Sequence, residues 1–193
     1  MPLVQAGRMN EHTVRTTIRT FADELTGHWL DVRGAELDGS QYLKITNVPG
    51  VLCDPAVRDD GTVEWEYRLC QAQQVDPARV IEMALAMLGA EAAPGVTGCH
   101  RDLTLKAAVG QALARCGLHV SHVLYRDDHF YQVHSEIEIS NLLLPDRGKV
   151  QVADDGSVRW ECRFRDAGGQ SPGISPKEVA ETIATALGHN TAA

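Results

Sequence analysis

Aromatic side chains are scarce in this chain, with 3 Trp, 4 Tyr and 3 Phe among 193 residues. Basic residues are short as well: 18 Lys and Arg stand against 26 Asp and Glu, a formal net charge of −8. The deficit holds in both halves, with 8 basic against 14 acidic residues in 1–95 and 10 against 12 in 96–193. Binding to a phosphate backbone needs a basic stripe that displaces counterions. No Lys/Arg cluster supplies one, so nucleic acid is not an expected partner.

Long apolar runs are missing too. Nothing approaches the ~20 residues of a membrane span, and the opening Met1-Pro2-Leu3-Val4-Gln5-Ala6-Gly7-Arg8-Met9 lacks the apolar centre of a secretory signal. The five cysteines, Cys53, Cys70, Cys99, Cys116 and Cys162, are odd in number and irregular in spacing. That pattern fits reduced thiols in a cytoplasmic protein rather than a disulfide framework. Richness in Ala, Gly, Arg, Val and Asp points to a bacterial source of high GC content. Phosphate-cradling Gly-x-x-x-x-Gly-Lys and Gly-x-Gly-x-x-Gly motifs are absent.

What is present is a repeat. Asp59-Asp60-Gly61-Thr62-Val63-Glu64-Trp65-Glu66-Tyr67-Arg68 returns as Asp154-Asp155-Gly156-Ser157-Val158-Arg159-Trp160-Glu161-Cys162-Arg163. Ile45-Thr46-Asn47 returns as Ile139-Ser140-Asn141, and Asp76-Pro77-Ala78-Arg79-Val80 as Ser175-Pro176-Lys177-Glu178-Val179. The offset grows from 94 residues at Asn47/Asn141 to 95 at Trp65/Trp160 and 99 at Leu88/Leu187. Loops absorb small insertions of that kind while packed elements do not. A period this long lies beyond solenoid repeats, so two domain-sized units are expected. They span 11–90 and 103–189, joined by a Pro- and Gly-bearing linker over 91–102, with 1–10 and 190–193 as flexible ends.

Each unit reads as α-β-β-β-β-α. Val14, Ile18, Phe21, Ala22 and Leu25 recur at helical spacing over about 11–26, ending near Gly27. Leu105, Ala108, Val109, Ala112, Leu113 and Cys116 do the same in the second unit, ending near Gly117. Strand signals follow at Trp29–Val32, Gln41–Asn47, Pro55–Arg58 and Thr62–Leu69. In the last, Val63, Trp65, Tyr67 and Leu69 share one face, and Val158, Trp160, Cys162 and Phe164 repeat them. Asp-Gly between two such runs signals a hairpin, which makes the paired acids Asp59-Asp60, Asp127-Asp128 and Asp154-Asp155 turn formers rather than acid/base pairs. Asp76 and Ser175 cap the closing helices, each followed by Pro at the first helical position. Glu178 completes a capping box, and Gly89 and Gly188 follow the ends. The fold class is therefore α+β: a tandem duplication in which each unit is an antiparallel sheet covered by helices on one face, related by a pseudo-two-fold axis. The other sheet face is left either for the contact between units or for binding.

Candidate chemistry is thin. His100, His119, His122, His129 and His134 crowd the start of the second unit, and Cys116-Gly-Leu-His119-Val-Ser-His122 has ligand types suited to zinc. If this stretch is a strand, His119 and His122 point to opposite faces and cannot share a metal. No residue is nominated as catalytic or metal-ligating, and no cofactor is expected. The helix–sheet–helix layout is similar to several small chaperone-like and regulatory-interaction domains, an analogy of fold that assigns no residue roles. Glu64 in one unit corresponds to Arg159 in the other. That sign change reads either as drift on two solvated faces or as the mark of the two Trp strands meeting, with Glu64 near Arg159. The reading that follows is a non-catalytic protein-interaction or regulatory module. The alternative is a small-molecule binder using the cleft between the units, and an enzyme stands third.

Overall fold

The computed structural model describes residues 11–37, 40–69, 75–98, 103–127, 132–165 and 172–189. Cys70, Cys99, His100, Asp128 and His129 lie outside them, as do the side chains of 37, 125–127 and 132–134 and the ends 1–10 and 190–193. The chain is α+β, and its described residues form four α-helices and one antiparallel sheet of eight strands.

Helix α1 (Glu11–Gly27) buries Val14, Ile18, Phe21 and Leu25, the stripe its spacing predicts. Strands β1 (Val32–Leu37), β2 (Ser40–Ile45), β3 (Val51–Val57) and β4 (Thr62–Leu69) then form a meander, closed by α2 (Pro77–Leu88). The order repeats as α3 (Leu105–Arg115), β5 (His119–Asp127), β6 (Gln132–Ser140), β7 (Lys149–Ala153), β8 (Val158–Arg163) and α4 (Pro176–Ala186). The caps stand where the sequence puts them. The Asp76 side chain accepts from Ala78 N–H, Ser175 and Glu178 form a capping box, and Gly89 takes a left-handed conformation at φ 63°.

Three strand spans differ from expectation. Strand β2 ends at Ile45 rather than Asn47. Residues 29–31 are not strand, because Trp29 adopts φ 63° and ends α1 with a Leu30 N–H to Leu25 C=O bond. In the second half Gly117, at φ 81°, makes the same turn, and nothing in the sequence marks a Trp for a glycine's position. Strand β3 begins at Val51, four residues before Pro55. Pro55 sits inside the strand, and the β2–β3 pairing is interrupted between Tyr42–Ala56 and Ile45–Cys53, where proline offers no N–H.

The two meanders join into a single sheet. Its order is β1-β2-β3-β4-β8-β7-β6-β5, so β4 pairs antiparallel with β8 at the centre. Trp65 lies directly opposite Trp160 there, and both are fully buried. The expected approach of these strands is present in a shifted register. Glu64 faces Glu161 and Arg159 faces Glu66, while the Glu64 carboxylate is taken by Arg58 and the Arg159 guanidinium by Gln151 and Glu136.

The helices do not each cover their own strands. They lie in the order α1-α4-α2-α3, with α1 packed along α4 and α2 along α3, and α2 reaching β7 of the other meander. Each closing helix is thus exchanged across the junction. Arg79 of α2 donates to the carbonyl of Ala186 in α4. The central position explains why α2 is apolar nearly all round: Val80, Ile81, Met83, Ala84, Leu85, Met87 and Leu88 are all buried. One continuous core results, running from Val14 to Ala186.

Candidate functional site

Three places could carry function: the sheet face away from the helices, the junction between the meanders, and the sheet's terminal strands. The open face presents Glu64, Glu66, Arg68, Arg159, Glu161 and their neighbours from the alternate positions of each strand. These charges answer one another. Arg68 lies 2.6 Å from Glu66, Lys149 lies 3.2 Å from Glu138 and 3.9 Å from Glu161, and Arg159 lies 3.6 Å from Glu136. Exposed pairs of this kind contribute only about 0.2–1 kcal/mol each. Their effect is to make the face solvent-compatible and locally neutral. The open face is not the contact between halves, which runs through the β4–β8 ladder and the helix layer instead.

At the junction, Gly148 breaks the strand path before β7. Its φ is 74°, and a Cβ there would stand 1.9 Å from the Glu161 carbonyl oxygen. The shortened β7 leaves a cavity of about 380 Å³ lined by Thr62 from one meander and by Asp146, Lys149, Glu161, Cys162 and Arg163 among others from the second. Arg163 is spent on the Asp60 carbonyl, with its Nε and Nη2 at 3.3 and 3.1 Å. Burial raises the Cys162 thiol far above its ordinary value, so it stays protonated and unreactive. It is a small core hydrophobe, as its place opposite Val63 suggests.

The repeated acids are turn formers. Asp60 Oδ1 accepts from Thr62 N–H at 2.9 Å, and Asp155 Oδ1 from Ser157 N–H at 2.9 Å and the Ser157 hydroxyl at 2.7 Å. Burial pushes the Asp60 carboxyl up, but bonding to Thr62 and the nearby Arg163 and Arg58 outweigh it and leave it below its ordinary value. Asp155 is lowered in the same way, against burial, by Ser157 and by Arg68. The shared Arg thereby gains a role: each half's arginine sits by the other half's turn.

One constellation escapes sequence reading. Lys106 of α3 donates to the Ser135 hydroxyl at 2.6 Å and the Ser135 carbonyl at 2.9 Å, and pairs with Asp154 at 3.0 Å. A serine beside a lysine suggests a nucleophile and its base. Here the ammonium's three protons meet three acceptors, so it has no lone pair to offer. It is a clamp that fastens α3 to β6 and to the β7–β8 turn. Among the described residues no group of His, Cys, Asp and Glu is arranged to hold a metal ion. His119 lies opposite Ser140 and His122 opposite Ile137, on opposite faces of β5, as strand periodicity requires. Cys116 and Cys162 are free thiols, and no helix among the described residues is long and apolar enough to cross a membrane.

No protein-family model matches this chain, and no curated protein or solved structure is significantly similar to it. Any functional reading therefore rests on geometry alone.

The terminal strands are β1 and β5. An edge strand carries a row of unpaired backbone N–H and C=O groups, which proteins usually guard by shortness, charge or proline. Strand β1 is guarded: it has six residues and includes Arg33, Gly34 and Glu36. Strand β5 is not. It runs nine residues, contains no proline, and carries no Asp, Glu, Lys or Arg from His119 to Tyr125. Its register with β6 is unbroken from His119–Ser140 to Asp127–Gln132. Leu124 is 70% exposed on the helix side, and Val120 lies half-buried beneath Gly110 of α3. Periodicity cannot name an edge, because strand order is settled by tertiary pairing. The uncharged run was the available signal.

Proposed function

We propose that this protein is a non-catalytic interaction module that docks an extended segment of another protein along the free edge of β5. The observation that carries the reading is the length of that edge and, among the described residues, the lack of any strand paired beyond it. An added strand satisfies the row of backbone groups, and alternate side-chain positions supply specificity. An unguarded edge of this length is otherwise an aggregation hazard. The balanced open face and the saturated Lys106 clamp favour no competing surface or chemistry.

The scaffold behind the edge is, on this reading, a tandem duplication with a pseudo-two-fold axis passing between Trp65 and Trp160. The repeated phrase supports it, since the two residues that recur at equal places are cross-strand partners. The exchanged closing helices support it as well, as in a dimer fused into one chain. The repeats are 11–90 and 103–189, with 91–102 between them. A bacterial cytoplasm is the setting that the composition and free cysteines suggest.

The test is to recover partners with the intact chain from its native source, then place a photo-crosslinker at the exposed His122 position. Crosslinks to one contiguous partner segment support edge docking. Crosslinking only from residues of the open face, such as Arg68, sinks it.

A second reading has its own observation. The junction cavity of about 380 Å³ draws Thr62 from one repeat and the rest of its lining from the other, and small-molecule sites favour such interfaces. With both acids and bases in its wall it suits a small polar or zwitterionic ligand. A metabolite that raises the melting temperature of the wild type but not of a Lys149→Met variant supports this reading.

A further inference from the structure

We infer that in the free protein the β5 edge is covered by the β5 edge of a second copy of this chain, giving a symmetric dimer with a continuous sixteen-stranded sheet. The inference rests on the reading above only in taking β5 as the docking edge; it adds how that edge is kept closed.

Antiparallel pairing of a nine-residue strand with its own copy over its whole length sets a single register. Strand β5 runs from His119 to Asp127, so full overlap centres on Val123, which meets its own copy. His122 then stands opposite Leu124 of the second copy, and Val120 and Ser121 also fall within the paired region. Residue parity is preserved, so helix-side residues meet helix-side residues. In that register His119 stands opposite Asp127 and Val120 opposite Arg126 of the second copy, so no two formal charges lie directly across from one another.

The helix layer fits the same arrangement. Helix α3 packs on both β5 and β6, and a Cβ on Gly110 would stand 3.6 Å from Val120 and 3.8 Å from Ile137. The helix axis therefore lies above the gap between these strands. Strands are spaced about 4.8 Å apart, so two α3 helices across a β5–β5 seam lie two spacings apart, about 9.6 Å. Helices pack at about 8–10 Å. The flank facing the seam is small: Ala107 and Ala114 share the Gly110 side of α3 by helical spacing, which permits close approach. The chain already closes one junction this way. Strands β4 and β8 join at the centre of the sheet, and α2 and α4 pack against one another in the layer above.

A second copy and a partner segment would occupy the same backbone groups, so self-association and partner binding exclude one another. The dimer is the closed state of the edge.

Because Val123 meets its own copy, charge substitution there gives a specific test. Sedimentation of the full-length chain at tens of micromolar should give twice the monomer mass of 21.0 kDa. Val123→Lys and Val123→Glu should each sediment as monomers, through like-charge repulsion across the seam. An equimolar mixture of the two should recover the doubled mass. Should either variant fail to fold by circular dichroism, Ala114→Arg, which leaves the strand untouched, should likewise give a monomer. A wild type that stays monomeric overturns the inference, as do single variants that dimerise like wild type or a mixture that stays monomeric. None of these outcomes bears on crosslinking to a partner, so the two proposals fail separately.

Discussion

Trp65 and Trp160 face one another across the central β4–β8 ladder, both fully buried, yet only one indole N–H is satisfied. Trp160 Nε1 donates to the Arg147 carbonyl at 2.7 Å, whereas Trp65 Nε1 has no partner among the described residues. The cause is local. Gly148 kinks the chain and turns the Arg147 carbonyl inward, while the matching stretch of β3 continues in the sheet. Replacing Trp65 with Phe removes an orphan donor. Replacing Trp160 with Phe strands an acceptor. The Trp160→Phe variant should therefore be less stable than Trp65→Phe by about 1–3 kcal/mol, as read from urea denaturation. Equal losses would show that the Trp65 N–H is satisfied after all. Truncation to Ala at either site should cost about 3–5 kcal/mol.

This pair also marks the reach and the limit of the sequence. Period-2 alternation placed both Trp residues inside, and caps at Asp76 and Ser175 placed both closing helices, because those signals are local. That β4 joins β8, and that α2 crosses to β7, depends on which apolar faces meet in three dimensions. The Glu64–Arg159 expectation failed for that reason: the shared strand contact was legible, but a register shift of two residues was not. Residues of the proposed edge stood out in the sequence as a histidine-rich run without formal charge from His119 to Tyr125, and their place on a terminal strand is a property of strand order.

Trp29 is an 80% exposed aromatic at φ 63°, in a turn where the second half uses Gly117. Left-handed backbone costs a residue with a Cβ about 1–2 kcal/mol, partly offset by glycine's greater freedom when unfolded. Trp29→Gly should stabilise the protein by about 0.5–1 kcal/mol. A lower melting temperature in this variant would mean that the indole makes contacts worth more than the strain.

Gly148 has the opposite requirement. A Cβ there collides with backbone of Glu161 and Cys162 rather than with a movable side chain. Gly148→Ala should destabilise by about 3 kcal/mol or more, since the positive φ and the clash act together. It should also quench the difference between Trp65 and Trp160 by displacing the Arg147 carbonyl. An unperturbed melting temperature would contradict the kink as described.

Acid should weaken the fold in a defined window. Asp60 and Asp155 are held low by their turn bonds and neighbouring arginines against burial, and Glu178 chiefly by Ser175. Unfolded, such groups titrate near about 3.9 for Asp and 4.3 for Glu. Their folded values lie lower, so the unfolded chain binds more protons as pH falls. The stabilisation is complete above the unfolded values and disappears as pH drops through the folded ones. Urea midpoints should fall steadily below about pH 5, and less steeply in an Asp60→Asn, Asp155→Asn variant. Midpoints that hold constant from pH 5 to 3 would remove these carboxylates from the stability account.

The central claim is that an extended partner segment docks on β5. Hydrogen exchange of the isolated chain and of its complex with a co-purified partner tests it most directly. To take self-pairing out of the comparison, the isolated chain is measured dilute enough to sediment as a monomer. The account predicts that amides within His119–Leu124 gain protection on binding, while those of β1 and of the β4–β8 junction are unchanged. Protection confined to the β4–β8 junction or to the helix layer, with the β5 amides exchanging as before, would contradict it.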